Sequence, residues 1–209
     1  MTPISAPEDV GALWLLTLQR AIGRASHDVK DALNGISVNL EVIRSRAARP
    51  DVPASAVAQF GDAAGQQLER LTTLIEAVLA LGRADRTPAD VGATLRRVVA
   101  ICGASASSTD AAVQLVDGGV MGSAQTRVHG DVVRLALMAP LLDMVTGTDR
   151  ARRLSEVTCT LAGNDDAVQV VIAAEGRRAT IPDGVAHILR GAGVRWTEGQ
   201  DLSLAFPRA

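Results

Sequence analysis

The sequence has 209 residues, with 21 basic and 23 acidic side chains that give a formal net charge of −2. Hydrophobic residues make up 47% of the chain and charged residues 21%, a globular composition that excludes intrinsic disorder. A slightly acidic chain with 2% aromatic residues lacks the basic surface and stacking platforms of a nucleic-acid binder. Because no apolar run approaches the ~18 residues of a membrane span and no signal peptide is evident, we expect a cytoplasmic protein without membrane contact.

The first half of the chain has the periodicity of two long amphipathic helices. Residues 10–46 contain no proline and carry apolar side chains at steps of three and four, with one extra residue between Ala25 and Leu33. The seam of this first helix comprises Leu15, Leu18, Ile22, Ala25, Val29, Leu33, Ile36, Leu40 and Ile43. After a break at Pro50 and Pro53, a second helix over 54–82 has the seam Val57, Phe60, Ala64, Gln67, Leu71, Leu74, Val78 and Leu81.

These two helices predict a helical hairpin that pairs with a second copy of the chain. A short turn joins them, and one hairpin of this length cannot cover both seams by itself. Pairing two hairpins into a four-helix bundle buries both seams, so we expect a homodimer. We assign residues 1–86 to this hairpin domain, which ends in a linker over 83–87.

The second half, residues 87–209, predicts an α/β sandwich. Helices are expected over 89–101, 130–145 and 182–189 from the spacing of the apolar residues. Strands are expected over 113–116, 157–162, 167–173, 194–197 and 202–206, with the second and third paired around a turn at 163–165. The fold class is therefore α+β, a helical hairpin followed by an antiparallel or mixed sheet that helices cover on one face.

His27 lies off the seam of the first helix, because it is two residues from both Ala25 and Val29. The surrounding segment, residues 25–36, reads ASHDVKDALNGI. This segment resembles the H-box of sensor histidine kinases, which it matches at Ser26, His27, Asp28, Val29, Lys30, Leu33, Asn34 and Ile36. It departs from the family at Ala32, where proline is usual, and at Asp31, where many members carry Asn or Thr.

The resemblance implies that His27 is a nucleophile that becomes phosphorylated, a reaction for which a neutral imidazole is suited. It gives Asp28 the role of accepting a hydrogen bond from the other ring nitrogen, which stabilises the cation as the phosphoryl group arrives. Lys30 either attracts phosphoryl oxygens or is simply solvated. Because Asp31 replaces the Asn or Thr that supports dephosphorylation of the partner, the resemblance carries no phosphatase activity over to this chain.

Asp31, Asn34 and Val38 continue the face of His27 at helical spacing. Val38 is an apolar residue on a face that should be wet. It is either a docking contact for a partner or an isolated surface valine, which is common in proteins.

The second half resembles the ATP-binding domain that follows the H-box domain in these kinases. Residues 128–135, VHGDVVRL, are similar to the run into the N-box helix, and residues 202–207, LSLAFP, to the closing strand. The residues that handle the nucleotide in the family are missing. Pro140 and Met144 stand where asparagines would coordinate Mg²⁺, and residues 173–178, AAEGRR, replace an Asp-x-Gly-x-Gly motif. We therefore expect no ATP binding, no cofactor and no metal in this chain.

These features together favour a histidine phosphotransferase of a bacterial two-component phosphorelay. By resemblance, His27 would accept a phosphoryl group from a receiver-domain aspartate and pass it to another receiver, which supplies the Mg²⁺. Two alternatives stay open. The chain could be a non-catalytic kinase-like scaffold or inhibitor that binds a receiver or a kinase, or it could be a divergent ATP-dependent histidine kinase.

Overall fold

The computed structural model describes residues 7–51, 53–83, 88–107, 112–117, 124–146 and 156–209. Helices α1 (Pro7–Ala47) and α2 (Ser55–Leu81) pack side by side as the predicted hairpin. The second half comprises β1 (Ala89–Asp90), α3 (Val91–Ser107), β2 (Ala112–Asp117), β3 (Gln125–Thr126), α4 (Gly130–Thr146), β4 (Glu156–Gly163), β5 (Ala167–Ala174), α5 (Asp183–Gly191), β6 (Arg195–Glu198) and β7 (Leu202–Pro207).

The main sheet of the second half is mixed, with the strand order β2-β4-β5-β7-β6. Strand β2 runs parallel to β4, and the other neighbours are antiparallel, including the predicted pairs β4–β5 and β6–β7. Side chains alternate along these strands between buried and half-exposed positions, so one face of the sheet contributes to the core that α3, α4 and α5 complete. The predicted α+β class, a helical hairpin followed by an α/β sandwich, is confirmed.

The helix predicted over 89–101 begins and ends later than the periodicity indicated. Ala89 and Asp90 pair with β3 instead of joining the helix. The Asp90 carboxylate then accepts a hydrogen bond from the backbone N–H of Ala93 at 2.8 Å, which is the geometry of a helix N-cap. The cap explains why α3 starts at Val91. The predicted linker residues 84–87 lie outside the described part of the chain.

The amino-terminal half of α1 packs against the second domain. Its buried face, formed by Trp14, Leu18, Ala21 and Ala25, belongs to the same core as α3 and α4. Arg20 pairs with Asp143 of α4 at 2.7 Å, and its guanidinium also donates to the Thr146 hydroxyl at 3.3 Å. Arg134 of α4 is buried, and its guanidinium lies 5.9 Å from the Trp14 ring centre. Helix α1 therefore packs against α3 and α4 as well as against α2.

The two predicted seams behave differently in the folded chain. On α2, Leu71, Leu74 and Leu81 are buried, so this seam packs within a single chain. On α1, only Leu18 and Ala25 of the nine predicted seam residues are fully buried. An apolar stripe is left on the outer surface of the hairpin, formed by Leu15, Ile22, Leu33 and Leu40 of α1 with Leu68, Ile75 and Leu79 of α2. The pairing of two hairpins stays a prediction, and this exposed stripe is the surface that it concerns.

Two buried thiols complete the core of the second domain. Cys102 of α3 and Cys159 of β4 are both free cysteines. Burial raises the pKa of Cys159 to about 12, and burial together with the neighbouring Cys159 thiol raises the pKa of Cys102 further.

Among the described helices, none combines the length and the hydrophobicity needed to cross a bilayer.

Candidate functional site

His27 lies near the middle of α1 with an exposed side chain. Its neighbours set this orientation, because Ala25 is buried in the core and Val29 packs against it. Ser26 donates its hydroxyl to the Gly23 carbonyl at 2.7 Å, so this side chain is bonded within the helix. Within the described part of the chain, no hydrogen bond or ion pair joins the imidazole to another residue. The ring is therefore open to a partner molecule.

The other predicted site residues on this side of α1 are exposed as well. Lys30, Asp31 and Asn34 are accessible to solvent, and Val38 is 62% exposed. Counted at roughly 100° per residue, His27 and Val38 lie about 120–160° around the helix from the apolar stripe of Leu33 and Leu40. The helix thus presents separate surfaces, one apolar and one that carries the imidazole. The roles assigned to these residues stay predictions.

Asp28 points towards α2 and into the protein. Its side chain is 13% exposed, and its Oδ2 atom accepts a charge-assisted hydrogen bond from Arg70 Nη2 at 3.3 Å. The resemblance had assigned this carboxylate to the imidazole of His27. Consecutive residues on a helix lie roughly 100° apart, so the pairing with α2 and the pairing with His27 need different side-chain positions. The structure shows the first of these two arrangements.

A cleft of about 350 Å³ lies beside Asp28, where the hairpin meets the second domain. The hairpin lines it with Asp28, Val29, Ala32, Arg70, Leu71, Thr73 and Leu74, and the second domain lines it with Val99, Ala100, Gly103 and Val113. Arg70 was missed by the sequence analysis. The available signal was that it is the only basic residue of α2 and that it directly precedes the seam residue Leu71.

The segment compared with a nucleotide site is packed into the core. Pro140 and Met144 are buried within α4, and neither carries a side chain that can hold Mg²⁺. Arg177, in the turn region after β5, donates its Nη1 to the Met144 carbonyl oxygen at 2.6 Å. The guanidinium therefore lies against the carboxyl-terminal part of α4, which contains Met144. In the described residues, no group of three or more His, Cys, Asp or Glu side chains is arranged to hold a metal ion.

Comparisons with known proteins find similarity among solved structures. No protein-family model and no curated protein sequence matches the chain. A histidine kinase of Acinetobacter baumannii, AdeS, is similar over 87% of this chain and 97% of its own, with 13% identity and a TM-score of 0.41. Full-length ShkA in complex with AMPPNP is similar over 91% of this chain and 45% of its own, with 17% identity and a TM-score of 0.40. The histidine kinase ThkA, in complex with the response regulator protein TrrA, is similar over 93% of this chain and 63% of its own, with 13% identity and a TM-score of 0.38.

Proposed function

We propose that this protein is a histidine phosphotransferase of a two-component phosphorelay, which moves a phosphoryl group between His27 and receiver-domain aspartates without using ATP. The observation that carries the proposal is the exposed imidazole of His27 in a segment that resembles the H-box. This chain has Pro140 and Met144 at the positions where the kinases that it resembles carry Mg²⁺-binding asparagines. This difference supports a protein that accepts phosphoryl groups from receivers rather than from ATP.

The chemistry requires little from this chain beyond a positioned nucleophile. A ring nitrogen of His27 attacks the phosphorus of an aspartyl phosphate on the receiver, which forms an N–P bond. The P–O bond to the aspartate breaks, and the carboxylate leaves with the electron pair. The receiver's Mg²⁺ offsets the negative charge on the phosphoryl oxygens, and docking supplies the alignment of the reacting atoms. Transfer to a second receiver follows the same steps in reverse.

The docking surface for the receiver would be the exposed face of α1 that carries His27. Asp31, Asn34 and Val38 extend this face along the helix. Covering the exposed 62% of Val38 would contribute about 1 kcal/mol to receiver binding. Val38 is well separated from the apolar stripe of the hairpin, so docking and dimerisation can occur together.

The same proposal includes a homodimer formed through the apolar stripe. Leu33 and Leu40 of α1 and Leu68 and Leu79 of α2 are each about half exposed in the single chain. Water contact at so many large apolar side chains on one surface is unfavourable, and a second hairpin of the same kind removes it. A two-fold interface on this stripe leaves both copies of His27 facing solvent.

The decisive experiment incubates the full chain with phosphorylated receivers encoded by the same genome and follows the label. An acid-labile label on the protein that His27→Ala abolishes is the expected result. Asp28→Asn should slow the transfer by ~10²-fold, as the loss of an acid–base partner does, without loss of receiver affinity. Val38→Asp should instead weaken receiver binding while the chemistry of the bound complex persists. If the protein binds receivers tightly but takes up label from none of them, the proposal of a transferase gives way to that of a non-catalytic scaffold.

A further inference from the structure

We propose that Arg70 is a positioning residue, which holds Asp28 in the cleft between the domains and keeps its carboxylate away from His27 until the ion pair opens. The inference deepens the proposed phosphotransfer function and rests on it for its biological meaning. The juxtaposition itself is structural: Arg70 of α2 contacts the residue that directly follows His27.

The setting of Asp28 explains why it needs this partner. Its side chain is 13% exposed and lies beside apolar groups of both domains, including Val29, Leu74 and Val99. A carboxylate removed from water in such surroundings requires a charged or hydrogen-bonding partner. Arg70 is the residue of the described chain that provides one, with its Nη2 at 3.3 Å from Oδ2.

Arg70 is also placed to respond to the reaction. Its side chain is 60% exposed, so anionic groups that approach from solvent can reach the guanidinium. A phosphoryl group is a strong acceptor for arginine and competes with a carboxylate for it. Once Arg70 turns to such a group, Asp28 loses its partner and its carboxylate can turn to accept a hydrogen bond from the imidazole N–H of His27, the preceding residue. The carboxylate would then fix the ring tautomer in which the other nitrogen is the nucleophile.

The second domain has a part in this arrangement. Val99, Ala100 and Gly103 of α3 close the cleft from the side opposite the hairpin. Without them Asp28 would be solvated and could turn freely between its two neighbours. The pairing with Arg70 therefore couples the packing of the second domain to the state of His27.

The test reads the imidazole directly and needs no receiver. The full-length protein is labelled with ¹⁵N-histidine, and the signal of His27 is assigned by its loss in His27→Gln. At a pH where the ring is neutral, ¹⁵N shifts give the ratio of the Nδ1–H tautomer to the Nε2–H tautomer. Arg70→Ala should raise this ratio by roughly two- to tenfold, the range of one net hydrogen bond. Arg70→Lys, which retains the positive charge, should stay near the wild-type ratio.

Two further variants separate the proposed route from other effects of the substitution. In the Asp28→Ala background, Arg70→Ala should leave the ratio unchanged, because no carboxylate is present to turn. Arg44→Ala is the matched control, since Arg44 is an exposed arginine that pairs with Glu41 on α1 at 3.9 Å, far from His27. An unchanged ratio in Arg70→Ala, or an equal rise in the Asp28→Ala background, would overturn the inference.

The outcome is distinguishable from a failure of the proposed function. A tautomer shift that follows the predicted pattern, in a protein that no receiver phosphorylates, would support the role of Arg70 and reject phosphotransfer. Phosphotransfer through His27 in a protein whose tautomer ratio does not depend on Arg70 would support the proposed function and reject the role of Arg70. If both hold, Asp28→Asn should slow the single-turnover transfer at saturating receiver.

Discussion

Two leucines that are three residues apart on α2 give a sharp test of the proposed dimer. Leu68 is 55% exposed and lies on the outer apolar stripe, whereas Leu71 is 8% exposed and faces α1 within the hairpin. Leu68→Glu should therefore act on the association of two chains. Leu71→Glu should act on the folding of each chain, because it places a carboxylate in the core of a single hairpin.

The sizes of the two effects follow from burial. Full burial of a leucine side chain contributes about 1.5–3 kcal/mol, so covering the exposed half of Leu68 contributes about 1 kcal/mol in each chain and about 2 kcal/mol in a dimer. Leu68→Glu also places an unpaired charge in each half of the interface, which should weaken the dimer by at least ~100-fold in Kd. Even the milder Leu71→Ala should lower the free energy of unfolding by about 2–5 kcal/mol.

Sedimentation equilibrium over a range of protein concentrations measures the association, and denaturant unfolding measures the stability of the chain. The expected pattern is a Leu68→Glu protein that is folded and monomeric, beside a Leu71→Glu protein that is poorly folded at every concentration. Val38→Glu is the matched control, because Val38 is 62% exposed, comparable to Leu68, but lies on the His27 face, and this variant should remain dimeric. A Leu68→Glu protein that dimerises with the wild-type Kd would refute the assignment of the stripe.

His27→Ala should change the free energy of unfolding by no more than ~0.5 kcal/mol, because the side chain is exposed, yet it should abolish phosphorylation. The control His187→Ala, at an exposed histidine of α5, should change neither the stability nor the phosphorylation. Phosphorylation of the His27→Ala protein would end the transferase proposal. Calorimetry with ATP and Mg²⁺ should show no binding with a Kd below ~100 μM, and a tighter value would reinstate a kinase. A thiol reagent should modify Cys102 and Cys159 only after unfolding, since burial raises the pKa of both. For Cys159 the pKa rises from 9.0 to about 12, so its contribution to stability is full below pH 9.0 and is lost as the pH rises towards 12. Above pH 8, the denaturant midpoint should fall less steeply with increasing pH in Cys159→Ala than in the wild type. An identical fall in both proteins would contradict the raised pKa of Cys159.

The local pattern of the sequence was sufficient for the elements and for the direction of His27. Apolar steps of three and four, interrupted by Pro50 and Pro53, predicted both hairpin helices to within a few residues of their observed ends. Strand alternation predicted the hairpin of β4 and β5 in the same way. The outward orientation of His27 followed because Ala25 and Val29 had been placed on the seam.

The partner of each buried group was beyond the reach of the sequence pattern. Periodicity identifies an apolar face but not the neighbour that covers it, so the sequence placed Leu71 on a seam without showing that it is already buried within a single chain. The pairing of Asp28 with Arg70 depends on how far α1 and α2 slide past each other, because 42 residues separate the two. No local signal sets that register, and the burial of Asp28 depends in addition on the packing of α3.

The second domain has a structural part in presenting His27 that does not require a nucleotide. The second domain covers a buried apolar face of α1 that runs from Trp14 through Leu18 to Ala25. This face ends two residues before His27, the proposed nucleophile. The ion pair between Arg20 and Asp143 fixes the same stretch of helix from outside the core. Burying two large side chains such as Trp14 and Leu18 contributes several kcal/mol, on the order of the net stability of a small domain. The packing of the second domain thus determines where α1 runs and what surrounds the carboxylate next to His27, and this structural contribution is the same whether or not a nucleotide is bound.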